Sequence, residues 1–328
     1  MKTVSGRYLE PVTDDAEWDK LVSSSCESSP FLKSSFLRSV NQEHSRFLLS
    51  VEGKATIGTC LFTALRSAPE NTYAFCSYQG AFFPNLKRRD YSDENLRILR
   101  LKELIQILDS QGEPRHFSFH PNVNDLRAVE WFYYATGNLR LFPSIKSRYT
   151  GTIQMSEHAT FEKYLGTIRK ERLREYRRSL EGSYEIEMNS TDIMNFLKLY
   201  NITFERQGHK VTNLVVERVS NIISAGLKDR SGILRMLYNH NGDPVSGAYI
   251  LSDETTDVYL FGANNTEFRD SYGPTRLLLE SIKESFERNK TIFDFCGMNS
   301  PRRGEFKSSF NARVTPYFEM ALEVRRGK

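Results

Sequence analysis

The stretch from Asp257 to Tyr317 constrains the fold more than any other part of the chain. It opens with Asp257-Val-Tyr-Leu-Phe-Gly-Ala263, an apolar strand. After a polar loop comes Tyr272-Gly-Pro-Thr-Arg-Leu-Leu-Leu-Glu280, the start of a helix expected over Tyr272–Arg288, whose stripe of Leu278, Leu279, Ile282 and Phe286 recurs at helical spacing. Phe293-Asp-Phe-Cys-Gly297 reads as a short buried strand, Gly304-Glu-Phe-Lys-Ser-Ser-Phe310 as a helix, and Pro316-Tyr317 lies in a closing strand. The strand-to-helix joint matters most. N–H groups at a helix start are unpaired and lie at the positive end of the dipole, so an anion can rest there. Gly273 permits close backbone approach and Pro274 suits a first turn.

Upstream, the pattern is that of a mixed α/β chain. Asp14–Val22 and Ser34–Asn41 read as helices, and Phe47–Val51 with Thr56–Ala64 as a hairpin turning at Glu52-Gly-Lys. Tyr73–Ser77 is expected to extend that sheet, followed by a helix over Asp93–Ser110 and strands at His116–His120 and Ser147–Met155. A single basic helix is expected over Thr160–Leu180, ended by Gly182 as a left-handed stop. Strand Ser183–Met188, helices Ser190–Gln207 and Asn213–Ala225, and a meander through Gly232–Asn239, Asp243–Ser252 and Thr256–Gly262 repeat the outline of the first half. At 328 residues the chain has room for two domains. The element order sets them at 1–157 and 183–328, with a connecting helix at 158–182.

Several classes are disfavoured. No apolar run approaches the ~18 residues needed to span a bilayer, and Met1-Lys-Thr-Val-Ser-Gly-Arg has no secretory apolar region. The four cysteines are scattered, which suits reduced thiols in a cytoplasm. No HExxH, GxSxG, Walker A or dinucleotide fingerprint occurs, and no metal site is expected. A net charge of +4 fits anionic small molecules better than it announces a nucleic-acid binder.

The succession from Asp257 to Tyr317 resembles the C-terminal half of the FemAB-like acyltransferases, which are built from two GNAT-type domains. The resemblance implies an α+β fold of two GNAT-like domains, each a mostly antiparallel sheet flanked by helices. It also implies an acyltransferase. In GNAT enzymes the loop before Gly273 binds the coenzyme A pyrophosphate, which makes Gly262, Arg269, Gly273 and Thr275 the expected donor-binding residues. The pattern here, Asp270-Ser-Tyr-Gly-Pro-Thr275, departs from the coenzyme A consensus at both ends. By the same resemblance Lys307 stabilises the tetrahedral oxyanion and Phe306 lines the pocket, although Phe310-Asn-Ala312 stands where the family commonly has Phe-Gly-Gly. Arg206, ending an aromatic-rich helix, and Tyr259, on the strand opposite, match residues that meet the acceptor. Asp294 is either a buried base or a hydrogen-bond acceptor for neighbouring backbone, and the second reading is preferred.

The leading expectation is transfer of an acyl group, most simply acetyl from acyl-CoA, to an amine of a cell-envelope or polysaccharide precursor. The first alternative is a Fem-type transferase drawing on aminoacyl-tRNA to extend a peptidoglycan precursor. The second is a non-catalytic RNA-binding protein on a GNAT scaffold. No tightly bound cofactor is expected, and the partners are the donor, an amine-bearing or nucleotide-linked acceptor, and tRNA in the alternatives, with no DNA. Seven cations between Lys163 and Arg178 could meet tRNA phosphates, but a solvated connecting helix is the preferred reading.

Overall fold

The computed structural model describes residues 9–40, 44–51, 53–62, 75–86, 90–112, 115–135 and 140–324. Two compact units emerge. One comprises residues 1–37, 42–149 and 316–328, the other 38–41 and 150–315. These boundaries cut elsewhere than the expected 1–157, 158–182 and 183–328.

In the first unit β1 (Leu9–Pro11), α1 (Asp15–Ser23) and α2 (Ser34–Ser39, whose last two residues group with the second unit) precede the hairpin β2 (His44–Val51) and β3 (Lys54–Phe62). Strand β4 (Gly80–Phe82) completes an antiparallel sheet in the order β1-β2-β3-β4. Residues 75–77 are not strand, and Tyr73, Glu52 and Asn41 lie outside the described residues. Helix α3 (Tyr91–Gln111) starts where Asp90 accepts from the Asp93 N–H and stops at left-handed Gly112. Its Leu101, Leu104, Ile105 and Leu108 are buried with Leu49, Ile57, Phe117 and Phe119. Strand β5 (Arg115–Ser118) and α4 (Arg127–Ala135) follow, then β6 (Leu141–Gln154), which changes unit at Thr150. Residues 319–322, near the end of the chain, pair antiparallel with β5.

The second unit contains α5 (Phe161–Leu165), α6 (Lys170–Glu181), β7 (Glu185–Glu187), α7 (Ile193–Glu205) and α8 (Asn213–Asp229). Strands β8 (Gly232–Tyr238), β9 (Pro244–Ser252) and β10 (Thr256–Asn264) form the meander, and α9 (Gly273–Glu287), β11 (Ile292–Asp294), α10 (Pro301–Ser308) and β12 (Arg313–Val324) close the order. The end of β6 pairs with β11, β11 with β10, and β9, β8 and β7 follow, all antiparallel except β10 with β11. Leu278, Leu279 and Ile282 of α9 pack with Ile250, Phe293 and Phe310 in the core.

The basic segment differs from expectation. It is two helices, both inside the second unit, broken between Leu165 and Lys170. The Thr167 hydroxyl folds back on the Tyr164 carbonyl, and the Arg169 N–H donates to the Ser309 carbonyl. Ile168 keeps the apolar stripe buried across the break. Gly182 is extended (φ −78°, ψ 156°), not a left-handed stop.

Candidate active site

Strands β10 and β11 are paired only over Thr256–Val258 and Ile292–Asp294. Beyond that point β11 ends, while β10 runs on to Asn264 beside β9 alone, with a register shift between Tyr259 and Phe261. Two parallel strands that part in this way leave a gap lined by unpaired strand edge.

Lys307 fills the floor of that gap. It is 9% exposed, and its Nζ donates to the carbonyls of Phe295 at 2.5 Å, Gly297 at 3.0 Å and Cys296 at 3.4 Å. The three carbonyls converge because the chain turns sharply after β11. Cys296 sits in the left-handed region (φ 57°), and its N–H donates to Asp294 Oδ1 at 2.7 Å. Thr150 donates to the same carboxylate oxygen at 2.5 Å. Asp294 therefore organises backbone, as the preferred reading of the sequence had it. Burial pulls the Lys307 amine down to about 8, with Cys296 and Asp294 pulling the other way.

Tyr259 lies against this ammonium, its ring centroid 5.7 Å from Nζ. Burial pushes its phenol up to about 12. A Cβ on Gly262 would come within 1.7 Å of the Tyr259 hydroxyl, so that glycine lets the tyrosine lie along its own strand. Phe306 points elsewhere, edge-on to Phe310 at 5.1 Å with the Arg172 guanidinium over its ring at 5.3 Å.

The first turn of α9 is occupied from outside. Thr275 is buried and donates through its hydroxyl to Glu175 of α6 at 2.5 Å. Arg172 pairs with the same Glu175 carboxylate and reaches Thr275 Oγ1 at 3.3 Å. The Gly273 N–H donates to Ser271 Oγ at 3.1 Å, and a Cβ on Gly273 would sit 2.6 Å from that of Ser246. Gly273 therefore serves helix-on-sheet packing. Arg269 is exposed on the preceding turn, and Arg206 is exposed at the C-terminal cap of α7.

The structure thus brings Lys307, Tyr259 and Gly262 together. It puts Thr275 under α6, Gly273 against the sheet at Ser246, and Phe306 beside Arg172 of α6. Sequence reading takes Glu175 only as a local ion-pair partner on the basic helix; its reach to Thr275 on α9 has no sequence signal. That reading missed Arg303, one helical turn before Lys307. The Arg303 guanidinium is exposed, its Nε donates to Ser300 Oγ at 2.9 Å, and its charge adds to the burial that lowers the Lys307 amine and offsets part of the burial that raises the Tyr200 phenol. Among the described residues no cluster of His, Cys, Asp or Glu is gathered for a metal, and no helix is long and apolar enough to cross a membrane.

Comparison with known proteins bears on the same region. Residues 167–319 match the model of the FemAB family. No curated protein sequence matches the chain. Among solved structures, FemX superposes with a TM-score of 0.69 at 14% identity, covering 94% of this chain and 96% of that one. L-PGS from Bacillus licheniformis gives 0.57 at 11% identity, covering 96% and 93%. A tandem GNAT protein from the clavulanic acid biosynthesis pathway gives 0.54 at 8%, covering 98% and 99%.

Proposed function

Since the chain is a FemAB-like transferase of the GNAT fold, we propose that it moves an aminoacyl group from charged tRNA to an amine of a peptidoglycan precursor. The observation that carries this choice of donor is Glu175. Coenzyme A needs its pyrophosphate at the start of α9, and there a carboxylate already takes the Thr275 hydroxyl. With Arg172 already paired to that carboxylate, a pyrophosphate would have to break a half-buried ion pair to sit there. An aminoacyl ester needs no such seat. The likeness to FemX, and to a putative lysylphosphatidylglycerol synthetase domain from Agrobacterium fabrum whose name states an aminoacylated product, leans the same way.

In this reading the ester carbonyl enters the gap between β10 and β11. The acceptor nitrogen attacks, the C–N bond forms, and the carbonyl oxygen takes up negative charge. Lys307 releases its longest contact, that to the Cys296 carbonyl, and donates to the oxyanion. The C–O bond then breaks, and the proton lost by the amine goes to the ribose oxygen of the departing tRNA. The Tyr259 ring borders the ammonium and excludes water from one side. Arg206 meets an anionic part of the acceptor. The exposed Lys163, Arg169, Lys170, Arg174 and Arg177 face tRNA phosphates, so donor binding weakens with salt. A cytoplasmic setting follows from the donor. A purely RNA-binding role leaves the burial of Lys307 without purpose.

The test is transfer of labelled amino acid from a charged tRNA pool to a nucleotide-linked muropeptide. Label should reach the peptide stem and be abolished by ribonuclease. Acceptor labelling from acetyl-CoA instead would restore the acyl-CoA reading.

A further inference from the structure

Lys307 and Arg303 are four residues apart on α10, so they project from one face of the helix. Their environments are opposite. Lys307 is buried beneath the carbonyls of Phe295 and Gly297, whereas Arg303 is exposed. The only side-chain hydrogen bond made by Arg303 among the described residues is from Nε to Ser300, which leaves its terminal N–H groups open. Its charge also acts on the Tyr200 phenol, so the guanidinium lies near α7 as well as on α10. The face therefore carries one cation at the floor and a second about 6 Å further out along the helix axis.

We propose that Arg303 binds the 5′-phosphate of the donor's terminal nucleotide, which makes it a specificity-determining residue for aminoacyl-nucleotide donors. This rests on the function proposed above. An aminoacyl ester on a ribose and the 5′-phosphate of that ribose are one sugar apart, the same order of separation as one helical turn. With the carbonyl beside Lys307, the phosphate falls beside Arg303. A guanidinium suits the role because its planar fork engages two phosphate oxygens at once. Held there, the phosphate fixes the ester against the floor, and a donor lacking it is bound in no fixed register.

The test uses the full chain and two probes: an adenosine carrying a 3′-amide-linked amino acid, with and without its 5′-phosphate. Wild-type protein should bind the phosphorylated probe about ten- to a hundredfold more tightly, the range of a charge-assisted bidentate contact. Arg303→Ala should bring that ratio close to one and leave affinity for the unphosphorylated probe unchanged. Arg303→Lys should recover part of the ratio. Unchanged affinity for the unphosphorylated probe also reports that Arg303→Ala remains folded. An undiminished ratio in Arg303→Ala overturns the proposal, as does a variant that only raises the acceptor's KM. If neither probe binds wild-type protein while acetyl-CoA does, the proposed function falls along with it.

Discussion

Lys307 has three N–H groups and three carbonyls facing them, in a site where burial brings its pKa to about 8. The charged form is present below that pH and lost above it. With chemistry rate-limiting, kcat/KM of the wild type should therefore fall on the alkaline side near pH 8, and Lys307→Arg should lose that limb because a guanidinium stays charged. Lys307→Met should lower turnover roughly a hundred- to a thousandfold with little change in donor affinity. Near-normal turnover would move the oxyanion contact to the strand edge at the bulge after Tyr259. Gly273 calls for a different experiment. A methyl there gains up to ~1 kcal/mol of helix propensity but meets Ser246 at 2.6 Å, and such overpacking costs ~1–3 kcal/mol. Gly273→Ala should thus lower the melting temperature; a rise would refute the packing role. A larger residue at this position cannot serve as a clean probe of donor binding. The residues around Lys307 singled it out through a resemblance, and the structure buries it beside Tyr259. Nothing in the sequence singled out Arg303, since an exposed arginine on a short helix looks like any solvated charge until its neighbours are known.

Elements were legible where local chemistry decides them. Helix α3 has its acidic cap, apolar stripe and terminal glycine in the sequence, and it forms over nearly the expected span. The division of the basic segment into α5 and α6 was hidden, because the apolar stripe continues unbroken through Ile168 while the break is imposed by the distant Ser309 carbonyl. The packing of α6 on α9 was equally hidden. It depends on Glu175 with Thr275 and Tyr176 with Glu280, pairs about a hundred residues apart in sequence. This contact predicts that Glu175→Ala lowers stability by about 1–3 kcal/mol, since it strands a buried hydroxyl and the half-buried Arg172. The urea midpoint reads this directly, and Glu175→Gln should restore part of it by accepting the Thr275 hydroxyl. If both variants unfold like wild type, the α6–α9 contact is not what closes the start of α9.

At the scale of the molecule, the order of strands and helices carried the fold class, and the likeness to FemX and to tandem GNAT proteins agrees with it. The unit boundaries were less legible. Strands β6 and β12 each change unit along their length, at Thr150 and Pro316, so a cut placed between elements cannot follow them. The proposed donor was the property least legible in the sequence. A glycine-bearing loop before a helix has the sequence of an anion site whether or not another helix brings a carboxylate to it. The central proposal is therefore that this GNAT-type scaffold takes an aminoacyl nucleotide ester as its donor rather than coenzyme A. Calorimetric titration of the full chain with acetyl-CoA and with an amide-linked aminoacyl-tRNA tests it most directly. The account predicts saturable, salt-sensitive binding of the aminoacyl-tRNA and none of acetyl-CoA. Saturable binding of acetyl-CoA with no binding of the tRNA would contradict it.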